Sequence, residues 1–180
     1  MIRRIVLHLA GASLVLLAGC GGSGDKASGD RTFDVEGIGV TFRYPATFKP
    51  IGNVTFSQSA GAKPKARAGV RLDRVNAIVV SRYDLRATIT KKNLADFKAE
   101  VDGVIRRLAG QPVAGREVEY GGLPGYEYVI SLQTPPNGRS RLAVLFAGAT
   151  EYLVNCQSTP GKRQAVAAAC RHALDTLKTK

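Results

Sequence analysis

The chain has 180 residues, room for one ordinary domain plus a targeting segment and too few for two large domains. Its 26 basic and 14 acidic side chains give a formal net charge of +12, which favours contact with anionic lipid head groups or acidic polymers. Two histidines, three cysteines and no tryptophan leave little material for nucleophilic or metal chemistry.

Met1-Ile2-Arg3-Arg4 is a short basic start, and residues 5–17 are apolar or small apart from His8 and Ser13. Such a stretch enters a bilayer but is too short to span it stably. Leu17-Ala18-Gly19-Cys20 then matches the lipobox of bacterial lipoprotein signal peptides. Residues 1–19 are therefore expected to be cleaved and the Cys20 thiol to carry diacylglycerol, with an uncleaved membrane helix or a chance cysteine as the alternative. A two-chain lipid holds a protein at a membrane where one chain would not. Loss of Arg3 and Arg4 leaves 24 basic against 14 acidic groups, or +10. Gly21 is not the Asp that retains a lipoprotein in the inner membrane of many two-membrane bacteria. The expected location is the extracytoplasmic face of the cell membrane, or the outer membrane in a two-membrane source. The membrane is then one partner, an envelope protein or anionic polymer a second, and no nucleic acid is expected.

Residues 20–31 contain the anchor cysteine and a Gly- and Ser-rich flexible linker, and the globular domain is expected over 32–180. Ile38, Val40, Phe42 and Tyr44 alternate with smaller or polar residues, which predicts a half-buried strand ended by Pro45. Residues 53–57 are a second strand candidate, 61–74 a basic loop and 75–83 a β-branched strand. Leu94, Phe97, Val101, Val104 and Leu108 recur at three and four, predicting a helix over 93–109 capped by Asn93 and stopped by Gly110 and Pro112. Strands over 113–120 and 123–133 flank a Gly121-Gly122 turn, with Tyr126, Tyr128, Ile130 and Leu132 on one face. Pro135-Pro136-Asn137-Gly138 predicts a turn, Leu142, Val144 and Phe146 a strand, and residues 148–151 another turn. Tyr152, Val154 and Cys156 share a face of the last strand. Thr159 as a capping residue and Pro160 at the first helical position open a second helix that buries Ala165, Val166, Ala169, Cys170, Ala173, Leu174 and Leu177. The meander's tight turns exclude a doubly wound parallel sheet, so the fold class is α+β, an antiparallel sheet with helices packed on it.

Three stretches carry a family resemblance. They are Gly37-Ile38-Gly39-Val40-Thr41-Phe42-Arg43-Tyr44-Pro45, then Leu123-Pro124-Gly125-Tyr126, and Glu151-Tyr152-Leu153-Val154-Asn155-Cys156 leading into the last helix. In these the chain resembles the PsbP-like superfamily, including its LpqN-type lipoproteins, from about Phe33 to Lys178. An aromatic residue, often Trp, that follows the Tyr-Pro in that family stands here as Phe48. The resemblance implies an α/β/α sandwich used as an accessory or binding module. It supplies no active site to transfer.

The residues themselves carry no catalytic constellation. His172 would be the only histidine after cleavage, and it sits opposite the apolar stripe of the second helix, as a solvated histidine does. No Gly-x-Ser-x-Gly elbow, zinc-spaced cluster or phosphate-binding glycine pattern occurs. The expectation is therefore a chain without cofactor or metal and without enzymatic activity, an enzyme with an unrecognised site being the alternative. Cys156 and Cys170 each lie on an apolar face and are expected to form a disulfide, the alternative being two buried thiols. Lys63, Lys65, Arg67, Arg71 and Arg74 form the densest basic run, opposed only by Asp73. It is either a contact loop for anionic lipid or polymer or, more simply, a solvated loop. Tyr120, Tyr126 and Tyr128 either line a ligand groove or pack on the sheet, packing being the commoner fate.

Overall fold

A computed structural model describes residues 29–51 and 63–180. The cleavage region, Cys20 and the 53–57 strand candidate lie outside these residues. The described chain runs through strands β1 (Asp30–Asp34), β2 (Val40–Pro45), β3 (Lys49–Ile51), β4 (Ala66–Arg71) and β5 (Ala77–Ile89) to helix α1 (Lys98–Ala109). Strands β6 (Arg116–Tyr120), β7 (Leu123–Leu132) and β8 (Gly138–Ser158), helix α2 (Arg163–Asp175) and strand β9 (Lys178–Thr179) follow. All pairings are antiparallel. The main sheet has the order β3-β4-β5-β8-β7-β6, and a small sheet has the order β1-β2-β9. The α+β class is as expected, and the first strand takes in Asp30 and Arg31 from the expected linker.

Strand β8 decides the topology. Its first half pairs with β7, from Gly138 opposite Leu132 to Leu145 opposite Gly125. Its second half pairs with β5, from Thr150 opposite Asp84 to Gln157 opposite Ala77. In one straight strand Arg139 and Ser158 would lie about 60 Å apart at the usual rise per residue. Instead the Ser158 hydroxyl meets the Arg139 carbonyl at 3.5 Å, and the Ser140 hydroxyl donates to Asn155 Oδ1. The segment doubles back at Gly148, whose φ of 63° suits the reversal. The turn expected over 148–151 is thus a fold within one unbroken extended run, tight enough that Thr150 and Glu151 already pair with β5.

The two faces of the main sheet bury separate cores. On one face Ile78, Val80, Leu145, Val154 and Cys156 pack with α2 and with the small sheet, where the Phe33 and Phe42 rings stack at 4.4 Å. Helix α2 contributes Val166, Ala169, Cys170, Ala173 and Leu174, whereas Ala165 is exposed, one position off the buried stripe. The sulfurs of Cys156 and Cys170 lie 2.07 Å apart, at disulfide distance, and so join β8 to α2. On the other face Tyr126, Tyr128, Ile130, Leu142, Val144 and Phe146 pack under Val101 and Ile105 of α1.

Several local expectations give way to tertiary contacts. The basic stretch over 61–74 is not one loop, because 66–71 is strand β4, with Ala68 and Val70 fully buried. Its small residues concealed the alternation, and the arginines are its outward half. Asn93 makes no side-chain cap; its Oδ1 accepts from the Thr90 amide and hydroxyl, and a 3-10 turn over Leu94–Phe97 precedes α1. Gly110 ends α1 in the left-handed conformation, as expected of a helix-stop glycine. Thr159 also makes no cap, because its amide and hydroxyl both donate to Asn76 Oδ1.

A cross-link closing a loop of 14 residues' separation stabilises by about 3 kcal/mol in the loop-entropy model. Reductant should therefore lower the denaturation midpoint of the wild-type chain and leave that of Cys156→Ala/Cys170→Ala unchanged. Two titratable thiols in the denatured, unreduced protein would show that no bridge forms.

Candidate functional site

A cavity of about 340 Å³ lies beneath α1, between the helix, the far end of β5 and both halves of β8. Its origin is the way α1 is propped. The Tyr126 hydroxyl donates to the Leu94 carbonyl at 3.1 Å, and the Tyr128 hydroxyl donates to Asp102 Oδ1 at 2.7 Å. Lys98 donates to the same Asp102 carboxylate and lies 5.3 Å from the Tyr126 ring centre. These contacts fix α1 over β7 and leave its other flank standing away from β5. Burial resists ionisation of Asp102, but its bonds from Lys98 and Tyr128 outweigh that and hold it below the usual carboxylate range. Burial, followed by the bond to Asp102, raises the Tyr128 phenol.

The stripe predicted for the first helix divides accordingly. Val101, together with Ile105, which the predicted stripe did not include, is buried against the sheet and forms the inner wall of the cavity, while Phe97, Val104 and Leu108 line it and are less buried, Leu108 being 36% exposed. Val144, Phe146 and Leu153 of β8 and Leu85 and Ile89 of β5 complete an apolar lining. Against it stands Glu151, with no hydrogen bond from any described residue and a carboxyl pushed up to about 7. The cause is first the loss of water around it and second the nearby Glu100 carboxylate. Asp84, Arg86 and Glu100 lie at the same cavity. A cavity of this size, mostly apolar with few polar groups, is typical of a small-molecule site. The sequence hid Glu151 by its place in an expected turn. Continuing the alternation of Tyr152, Val154 and Cys156 would have put Glu151 and Leu153 on the opposite face, with α1.

The three tyrosines singled out in the sequence do not line this cavity. Tyr126 and Tyr128 are buried as props, and the Tyr120 hydroxyl donates to Glu127 Oε2 at 2.9 Å. Glu127, only 6% exposed, also accepts from Arg116 and Arg141. Desolvation works against its charge, but the two guanidiniums and the phenol prevail and lower its pKa.

The basic run is spread along one edge of the same sheet face. Lys63 and Lys65 are exposed, and Arg67 donates from Nε to the Ser81 hydroxyl at 2.8 Å. Arg71 and Arg74 meet at a second, smaller hollow of about 150 Å³, with Asn155, Gln157 and Val79. Five residues within a twelve-residue stretch thus divide between a surface lysine pair, a bonded arginine and one small hollow. His172, half-buried rather than freely solvated, lies 2.7 Å from Asp30, which also pairs with Arg43. Among the described residues no three His, Cys, Asp or Glu side chains converge as a metal site.

Glu151 makes stability depend on pH. Its folded pKa of about 7 lies above the ordinary 4.5, so the folded chain keeps a proton that the unfolded chain releases between those values. Stability is therefore lost as pH rises through that window, by about 3 kcal/mol at most. Glu151→Gln should match the wild type in urea denaturation at pH 4 and exceed it at pH 8. An equal difference at both pH values would remove this titration.

No protein-family model matches the chain, and no curated protein matches it in sequence. Solved structures do resemble it in fold. The solution structure of cyanobacterial PsbP (CyanoP) from Synechocystis sp. PCC 6803 superposes with a TM-score of 0.58 at 13% identity, covering 91% of this chain and 99% of that one. A crystal structure from Bacteroides thetaiotaomicron VPI-5482 gives a TM-score of 0.53 at 13% identity, covering 83% of this chain and 48% of that one. At such identity the likeness concerns architecture alone, and the sandwich of two antiparallel sheets and two helices is a PsbP-like fold.

Proposed function

We propose that this chain is an extracytoplasmic lipoprotein whose domain is a non-catalytic binding module, with the cavity under α1 as its ligand seat. The cavity carries the reading: an apolar hollow of about 340 Å³ beside a helix with unspent apolar surface is otherwise a packing defect. The PsbP-like fold supports an accessory role over an enzymatic one. The lipobox ending at Cys20 supports export and anchoring, and the linker that follows would keep the domain near the membrane. The Arg71 and Arg74 hollow favours a second reading, in which the domain also touches anionic lipid or envelope polymer through this edge.

Two measurements test the proposal. Val104→Trp would fill the cavity from the helix side, so it should abolish binding of a neutral apolar probe such as 1-octanol while preserving the fold. Retained binding would place the probe elsewhere. Labelled fatty acid should enter the wild type and fail to enter Cys20→Ser. Normal acyl labelling of that variant would end the lipoprotein reading.

A further inference from the structure

The charged residues lining the cavity are, in sum, of opposite sign to the net charge of the chain. The chain as a whole is strongly basic, at +12, and repels small cations from most of its surface. Among the described residues lining the cavity the balance reverses, with the carboxylates of Asp84, Glu100 and Glu151 against the single guanidinium of Arg86. Asp84 has a partner in Arg82, at 3.7 Å. Glu151 accepts no hydrogen bond from any described residue, although burial has taken away much of its water. A carboxyl in that position gains most from a donor that arrives with the ligand and bears a positive charge.

We propose that this cavity takes an amphiphilic amine, its apolar body under α1 and its ammonium group at Glu151. The inference rests on the cavity being a ligand seat and adds the chemistry of the ligand's head. The body would lie among Phe97, Val104, Leu108, Phe146 and Leu153, exchanging water for apolar contact. The volume admits about ten non-hydrogen atoms at the roughly 30 Å³ that a water molecule occupies in the liquid. A fatty acid of the same length would bring a carboxylate up to Glu100 and Glu151 and be repelled. An alcohol would fit, but would bring no charge to oppose theirs. The head group therefore sets the order amine, alcohol, carboxylate, and Glu151 is the residue that enforces it.

Photoreactive diazirine analogues of octylamine, 1-octanol and octanoate distinguish the cases. They would be applied to the full chain in lipid nanodiscs, with labelling of residues 97–108 read per molecule of free probe. The amine should label this helix at least tenfold more efficiently than the alcohol, and octanoate least of all. Glu151→Gln should bring the amine down to the level of the alcohol measured on the same variant. An amine no better than the alcohol, or an amine preference that survives Glu151→Gln, would overturn the inference while leaving the ligand seat in place. Failure of all three probes to label the helix would instead remove the ligand seat itself.

Discussion

The reversal of β8 at Gly148 is the constraint on which the other features depend. It sets two passes of one segment between β5 and β7, at the centre of the main sheet. The first pass floors the space beneath α1 with Val144 and Phe146, and the second adds Glu151 and Leu153. On the opposite face the second pass presents Val154 and Cys156 to α2. One reversal thus assigns each residue of the segment to one of two cores. A shift of one position would exchange the faces, placing Glu151 in the α2 core and Cys156 out of reach of Cys170.

Close backbone approach holds that arrangement in register. Gly125 of β7 lies against β8 so tightly that an added Cβ would stand 2.0 Å from the Val144 carbonyl oxygen. Gly69 has the same relation to β5, with an added Cβ at 2.3 Å from the Ile78 carbonyl oxygen. The basic edge and the cavity are neighbours on the same sheet face because α1 covers only part of that face. Helix and sheet meet where the tyrosines prop them. Elsewhere the sheet is closed by its own polar and basic side chains, as where Arg67 lies along Ser81.

The site has an internal tension of the kind found where binding matters. An unbonded carboxyl in an apolar hollow costs folding free energy as pH rises from 4.5 through about 7, and no described residue supplies a compensating donor. Glu127 shows what the same fold does with a carboxylate that is purely structural: two arginines and a tyrosine surround it. The contrast between these two glutamates is the strongest reason to regard Glu151 as something other than a packing residue.

Much was legible in the sequence because it was periodic. Alternation in 38–44 and 142–146, the three-and-four spacing of the first helix and the Gly121-Gly122 hairpin each follow from one buried face. Composition and the stretch ending at Cys20 likewise bear on export without reference to any fold. Strand β4 was hidden, because Ala68, Gly69 and Val70 bury a face with almost no bulk to mark it. The helix caps failed because Asn93 and Thr159 spend their polar groups on partners outside the helix, Thr159 on Asn76, 83 residues away. The cavity could not be read at all. It exists because tyrosine hydroxyls on β7 hold α1 to one side, and the resulting gap is a matter of distances between elements, which no local pattern records.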